Sequence, residues 1–435
     1  MTDSLHTHFS RAMQRFAPFE ASPHLAVATS GGADSMALLL LCKEWAAEQG
    51  AQLTALTVDH GLRAESTHEA QQVKEWAATH GITHETLHVA ALDHSRNVEA
   101  QARDARYAAI DAWCNTHNVL HVLLGHHLDD QAETVLMRLG RGSGVDGLAG
   151  MAAIGWHHNR RILRPLLSIR KQQLVAFLKA RNQPWLEDSS NLDARFTRNK
   201  LRQLLPALEE TGIYAERLAD TATRMGLARQ SLASATADAL AHSATVWPEG
   251  YATFSGTALP AQNEEIGLRF LANLLQTIAG QPYRGRLSKL RNLYAEIVAG
   301  LDVTRSLGGC LIMPKDEVIW IVREPAAIQK RQPINTDRGV WDARWQWACP
   351  PPHSVPVHIG ALGEEGWREV REECNSPAPK EALVALPAFW HLDELIAVPH
   401  ISWQKNDANL TASACFSPAK SLADAPFYCM YEGQK

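Results

Sequence analysis

Two polar clusters in this 435-residue chain hold residue types at spacings suited to phosphate and proton chemistry. The first is Ser30-Gly31-Gly32-Ala33-Asp34-Ser35, set between an apolar run of strand length at 25–28 and an apolar helical face opening at Met36. Paired glycines let backbone N–H groups approach an anion with no Cβ in the way. A helix that starts there turns its positive dipole end to the same spot. Ser30 and Ser35 add hydroxyls, and Asp34 is placed to hold Mg²⁺ against a pyrophosphate. A Gly-Gly pair after a strand is by itself an ordinary tight turn. Here the whole string S-G-G-x-D-S sits in a strand–loop–helix context, and no G-x-x-x-x-G-K-[ST] loop competes with it.

The second cluster runs Gly125-His126-His127-Leu128-Asp129-Asp130-Gln131-Ala132-Glu133-Thr134. Asp130 and Glu133, three apart at a helix start, share a face. Paired carboxylates beside a phosphate either hold Mg²⁺ or orient an amine nucleophile. The plainer reading makes Asp129 a helix cap and the other two acids dipole partners. That explains one acid and leaves two histidines and two acids over. Adjacent histidines point in different directions, so no transition-metal site is expected.

Elements must bring these clusters together. Strands at 25–28, 52–58, 83–89 and 119–124 alternate with a helix opening at 36–41 and helices at 67–80 and 97–118, which predicts βαβ units and a parallel sheet. In such sheets ligands sit beyond the C-terminal strand ends, and both clusters follow strands. So does Asp59-His60, where a capped turn and a binding role stand level. Arg103, Arg106 and Tyr107 share a helix face, with solvated charge and phosphate contact again level. Arg141 to Leu148 reads as a loop, either merely flexible or a basic cover for the site.

Composition bounds the class. A hydrophobic content of 46% and a charged content of 20% describe a globular chain of two or three domains. No apolar stretch is long enough to span a bilayer and no signal-peptide core is present, so no membrane partner and a cytoplasmic setting are expected. Seven scattered cysteines without C-x-x-C point to reduced thiols. Net charge is −5, yet residues 138–202 carry thirteen Lys/Arg against four Asp/Glu, a local balance of +9. A block this one-sided reads as a phosphate-contacting face. The sequence leaves the oligomeric state open.

The S-G-G-A-D-S string resembles the pyrophosphate loop of the N-type ATP pyrophosphatases, the PP-loop superfamily. Joined in order to H-H-L-D-D-Q-A-E-T (126–134), R-G-S-G-V-D-G-L (141–148), R-P-L-L (164–167) and E-D-S-S-N…F-T-R-N-K-L-R (187–202), it resembles the tRNA(Ile)-lysidine synthetase family. The resemblance covers about the first half of the chain. It implies an α/β fold: a parallel-sheet PP-loop ATP pyrophosphatase domain (1–210), a mainly helical tRNA-binding module (211–325) and a small mixed C-terminal domain (335–435). In the last, tryptophans are expected in the core rather than stacked on bases. The resemblance implies ATP and Mg²⁺ as cofactors, and free L-lysine and an isoleucine tRNA with a CAU anticodon as partners. The family adenylates O2 of the wobble cytidine, and the lysine ε-amine then attacks C2 and expels AMP.

Carried over by motif, the catalytic residues are Asp34, Asp130, Glu133 and Arg198. ATP falls to Ser30, Gly31, Gly32, Ala33, Asp34 and Ser35, with Asp59 and His60 near adenine and ribose. Mg²⁺ falls to Asp34 and Asp130, and tRNA to Arg141, Arg195, Lys200 and Arg202. An A-R-x-x-R-Y string like that of the family tilts Arg103, Arg106 and Tyr107 towards nucleotide or RNA. Two other readings remain. One is a tRNA thiolase of the same superfamily, which normally wants a cysteine pair or an iron–sulfur site. The other is a non-catalytic RNA-binding protein on a nucleotide fold.

Overall fold

The computed structural model describes residues 4–59, 64–89, 98–157, 159–187, 197–281, 285–350, 356–405, 410–423 and 427–430. It forms two compact units, Met1–Gln230 with Ala425–Lys435, and Ser231–Asp424.

The first unit runs α1 (Leu5–Gln14), β1 (His24–Ala28), α2 (Ala33–Gln49), β2 (Gln52–Asp59), α3 (Ala64–Thr79), β3 (Thr83–His88), α4 (Val98–His117), β4 (His121–Leu123), α5 (Leu128–Leu139), α6 (Val145–Leu148), β5 (Ile154–His157), β6 (Arg160–Leu163), α7 (Lys171–Ala180), α8 (Thr197–Glu210) and the start of α9 (Ala215–Ser243). The sheet order is β3-β2-β1-β4-β6-β5. β1 pairs in parallel with β2 and β4, and β6 in parallel with β4. Strands β2 and β3 build outward on one side of β1, and the chain then returns to its other side as β4. The C-terminal end of β1 is therefore the switch point at which such sheets hold ligands.

Burial explains the pattern. Leu25, Ala26 and Val27 are covered on both faces, as a central parallel strand must be. Helix α2 buries Met36 to Cys42 without a break, so it has almost no polar face. It packs in a core with β1 and α7, while Ala26, Leu56, Ile110, Val122 and Ile162 form the core on the opposite side of the sheet. Strand β5 is antiparallel to β6 and forms the edge. The strand–helix alternation did not predict it: Ile-Gly-Trp-His is four residues long with no apolar run.

The second unit continues α9 and adds β7 (Ala244–Val246), β8 (Ala252–Ser255), α10 (Glu264–Ala279), α11 (Leu287–Val298), β9 (Arg305–Leu307), β10 (Cys310–Lys315) and β11 (Val318–Arg323). These strands form an antiparallel sheet of order β7-β8-β11-β10-β9. β9 and β10 form a hairpin that turns at Gly308 and Gly309, both at positive φ. Cys310, Ile312, Ile319 and Ile321 pack in one core with α10. Val322, Leu311, Met313 and Trp320 pack in another with Trp341, Trp345, Trp347 and Trp390. Those four tryptophans are buried, as expected of core residues. Two further antiparallel sheets, of five and three strands, complete the unit. Among the described residues no helix is long and apolar enough to cross a membrane.

Candidate active site

The loop after β1 is built by Gly31. Its φ is +84°, and a Cβ there would lie 2.5 Å from Leu186 Cδ1 and 2.8 Å from Val73 Cγ2. Only glycine fits both the conformation and the space. The Leu186 N–H closes the loop by donating to Gly31 O at 2.9 Å. Gly32 caps α2 without a side-chain hydrogen bond, so the first N–H groups of α2, from Ala33 on, are left for a ligand. Ser35 Oγ donates to Gly32 O and accepts the Ser30 N–H, which fixes the turn.

Gly125 ends the stretch after β4 against this turn. A Cβ there would lie 3.2 Å from the Asp34 backbone. This close approach brings the second cluster onto the first. His127, 1% exposed, is the N-cap of α5 and the hub. Its Nε2 lies 3.5 Å from both Asp34 Oδ2 and Asp130 Oδ2. Its Nδ1 lies 3.4 Å from Asp129 Oδ2 and also 3.4 Å from the Asp130 N–H. A ring nitrogen cannot donate to one and accept from the other. With three carboxylates around it the imidazole holds both protons, so Nδ1–H faces Asp129. Burial alone would depress this imidazole, but Asp129, Asp34 and Asp130 push it up to about 9. Asp34 shows the converse. Burial raises its carboxyl, yet His127, Lys171 and Arg202 hold it below the ordinary range.

The acids of the second cluster have separate partners. Asp129 caps not its own helix but the start of α7, accepting the Lys171 N–H at 2.8 Å. Asp130 Oδ2 accepts the His127 N–H at 3.1 Å, and Oδ1 lies 3.4 Å from Arg202 Nη2. Glu133, 1% exposed, meets Arg202 Nε at 2.5 Å and Arg198 Nε at 2.9 Å. Burial raises its carboxyl while the two guanidinium groups pull against it. Asp34, Asp130, Glu133 and Arg198 thus join one network through His127 and Arg202.

A cavity of ≈ 270 Å³ opens beside the network at the switch point. Ala28, Leu56, Val58, Ile110 and Leu124 form its apolar wall. Ser30, Gly32, Asp34, Ser35 and His126 form its polar wall, and Arg103, Arg106 and Tyr107 line it from α4. Of these, Tyr107 is half-buried, while Arg103 and Arg106 border the cavity and are also exposed to solvent. No cysteine lines the cavity, and burial pushes the Cys114 thiol up to about 11, far from a reactive thiolate.

Some expected residues lie elsewhere. Asp59 is buried and accepts the Ser66 and Thr67 hydroxyls at 2.7 and 3.0 Å. His60 and Arg195 lie outside the described residues. Arg202, expected at tRNA, is turned inward to Asp130 and Glu133. The +9 block does not form one face. Arg138 donates to Gly147 O and Gly150 O, Arg161 to Pro18 O and Phe16 O, and Arg164 to Ala152 O. Arg138 thereby pins the loop through α6. Arg141 and Lys200 are exposed. Sequence reasoning gave no site role to His127 or Lys171, whose Nζ is 3.6 Å from Asp34 Oδ2. The one signal for Lys171 was its place just after R-P-L-L.

The PP-loop domain family model matches residues 5–208. The tRNA(Ile)-lysidine synthase of Ruegeria pomeroyi is 38% identical over 388 residues, covering 88% of this chain and 90% of the relative. That of Orientia tsutsugamushi is 28% identical and covers 98% of this chain and all of the relative. Among solved structures, the U34-tRNA thiolase NcsA of Methanococcus maripaludis aligns at 16% identity and a TM-score of 0.43, covering 50% of this chain and 75% of that one. The loop, the carboxylate network and the near-full-length relatives agree: the chain belongs to the tRNA(Ile)-lysidine synthase family.

Proposed function

We propose that this chain ligates free L-lysine to C2 of the wobble cytidine in the CAU anticodon of an isoleucine tRNA. Cytidine O2 attacks the α-phosphorus of ATP and pyrophosphate leaves. The lysine ε-amine then adds at C2, the C2–O2 bond breaks, AMP departs and the amine loses a proton. The observation that carries the reading is one pocket where the S-G-G-A-D-S turn and the Asp34–His127–Asp130–Arg202–Glu133 network meet, in a chain that matches lysidine synthases over most of its length.

The chain's own groups divide the work. The α2 N–H groups and Gly31–Gly32 backbone receive the phosphates. Asp34 Oδ1 is buried and takes no hydrogen bond from a described residue, which suits it to Mg²⁺ beside substrate phosphates. Bound there, Mg²⁺ supplies charge neutralisation on the pyrophosphate. Both oxygens of Asp130 are engaged, so its fit to the metal is poorer. Arg198 faces developing phosphate charge, and Glu133, raised by burial, is the better proton acceptor for the amine. Arg141 and Lys200, being exposed, suit tRNA phosphates. In the division into 1–210, 211–325 and 335–435, the core around α10 lies mostly within the second segment, while Leu311, Met313, Trp320 and Val322 of that segment also pack with Trp341 of the third. A tRNA substrate suits a cytoplasmic setting.

The test is incubation with ATP, labelled lysine and isoleucine tRNA, with a sulfur donor in parallel. Lysine incorporation with AMP release is expected. Sulfur incorporation would favour the thiolase reading, and neither would favour a binding protein.

A further inference from the structure

The chain leaves the first unit along α9 and returns to it at residues 427–430. This return segment is built into the fold. Phe427 is 7% exposed, beneath the Arg229 guanidinium at 4.4 Å from the ring centre. The Gln230 amide donates to Phe427 O, and the Thr223 hydroxyl donates to Met430 O at 3.4 Å. Gly226 leaves the room: a Cβ there would lie 3.0 Å from Phe427 Cε1 and 3.1 Å from Cys429 Cβ. Any side chain at 226 would press on the segment.

On its other side the segment meets the exposed edge of the catalytic sheet. Tyr428 forms an antiparallel bridge with Ile154, and Tyr428 O accepts the Ala153 N–H at 2.7 Å. An open edge strand is thus partly covered by the chain itself. Ala153, which it holds, and the neighbouring Ala152 hold Arg164 in turn. The Arg164 N–H donates to Ala153 O at 2.9 Å, and its Nη1 donates to Ala152 O at 2.9 Å. Ile154 opens β5, and His157 at the far end of that strand stacks on Tyr107 at 4.6 Å between ring centres. Tyr107 lines the cavity.

We infer that residues 427–430 are a positioning strap, which fixes Ala153 and the Ile154 end of β5, and through His157 of β5 the Tyr107 wall of the nucleotide cavity. The inference rests on reading that cavity as the ATP site. Residues 427–430 are not among the described residues that line the cavity, so the action is indirect.

The test uses the full chain with Gly226→Leu, which displaces the strap, Phe427→Ala, which unseats it, and Phe427→Leu as the conservative variant. Amide exchange at Ala153 and the Kd for a non-hydrolysable ATP analogue are measured without tRNA or lysine. Displacement should speed Ala153 exchange and weaken analogue binding by about tenfold, the change that one lost hydrogen bond carries. Phe427→Leu should restore both. Faster exchange with unchanged Kd would overturn the inference and leave the segment merely structural. Unchanged exchange at Ala153 would overturn it outright. If Gly226→Leu fails to fold, Phe427→Ala decides. Wild-type chain that binds the analogue but makes no lysidine would sink the functional reading and leave the strap standing.

Discussion

At Asp34 the imidazolium of His127 and the ammonium of Lys171 compete for one oxygen, while the other oxygen takes no hydrogen bond from a described residue. That asymmetry suits a carboxylate shared between protein and substrate. Asp34→Asn keeps the shape and removes the charge, and should slow pyrophosphate release by about 10²–10³-fold in a folded protein. Release at the wild-type rate would remove Asp34 from the chemistry. Asp130→Asn and Glu133→Gln probe the second half-reaction. A lysine ε-amine has a reference pKa of about 10.4, so at neutral pH it arrives as an ammonium and must be bound and deprotonated. Single turnover of preformed tRNA adenylate with lysine should slow in both variants. Normal AMP release there, with slow adenylation, would make these acids holders of Arg202 and His127 only. The histidines set a pH dependence of opposite signs. Burial, with Arg164 next, depresses His126 to about 4, and burial, with Lys74 next, does the same for His84. Their contribution is present above the unfolded value of about 6.5 and is lost as pH falls through 4. His127, raised to about 9, contributes fully below 6.5 and loses that contribution as pH rises through 9. The melting temperature should therefore fall on both sides of the neutral range, and His127→Gln should flatten the alkaline limb alone.

Elements were more legible than contacts. The apolar runs at β1 and β2 and the alanine-rich α9 declare themselves by period and length, because burial on one or both faces dictates residue type. Partners do not declare themselves in this way. Nothing local says that Asp129 caps α7, forty-two positions on, or that Arg202 turns inward. Both depend on which helix ends the sheet brings together. β5 escaped because its edge position demands little apolar surface. The glycine turn was legible as a type, but its second constraint, contact with Leu186 and Val73, came only with the fold. Gly31→Ala meets both the positive φ and the 2.5 Å clash. It should destabilise the chain by about 2–4 kcal/mol, combining backbone strain with overpacking, while Gly32→Ala, with only Ser30 Oγ at 3.7 Å, should be milder. Denaturant unfolding of the two variants checks the order, and equal midpoints would contradict it.

At the scale of the whole molecule, charge misleads where it is counted rather than placed. A balance of +9 over residues 138–202 suggested a broad phosphate-binding face. Yet Arg138, Arg161 and Arg164 hold backbone carbonyls, Arg170 meets Asp129, Glu209 and Glu216, and Arg198 and Arg202 meet Glu133. Guanidinium forks are well suited to such internal work, because five donors in a fixed plane can satisfy several acceptors at once. In a chain of net charge −5, the phosphate contacts must then come from few residues, and each should matter. Arg141 and Lys200, both exposed, are two candidates from this block. Each phosphate contact contributes about 0.7–0.9 to the slope of log affinity against log salt. Arg141→Gln with Lys200→Gln should therefore weaken tRNA binding and reduce that slope by about 1–2. Arg170→Gln, whose partners are all carboxylates of the protein, should leave the slope unchanged. Measuring tRNA affinity between low and physiological salt separates the two classes. An unchanged slope in the double variant would move the phosphate contacts off this block. A reduced slope in Arg170→Gln would mean that its ion pairs open when tRNA binds.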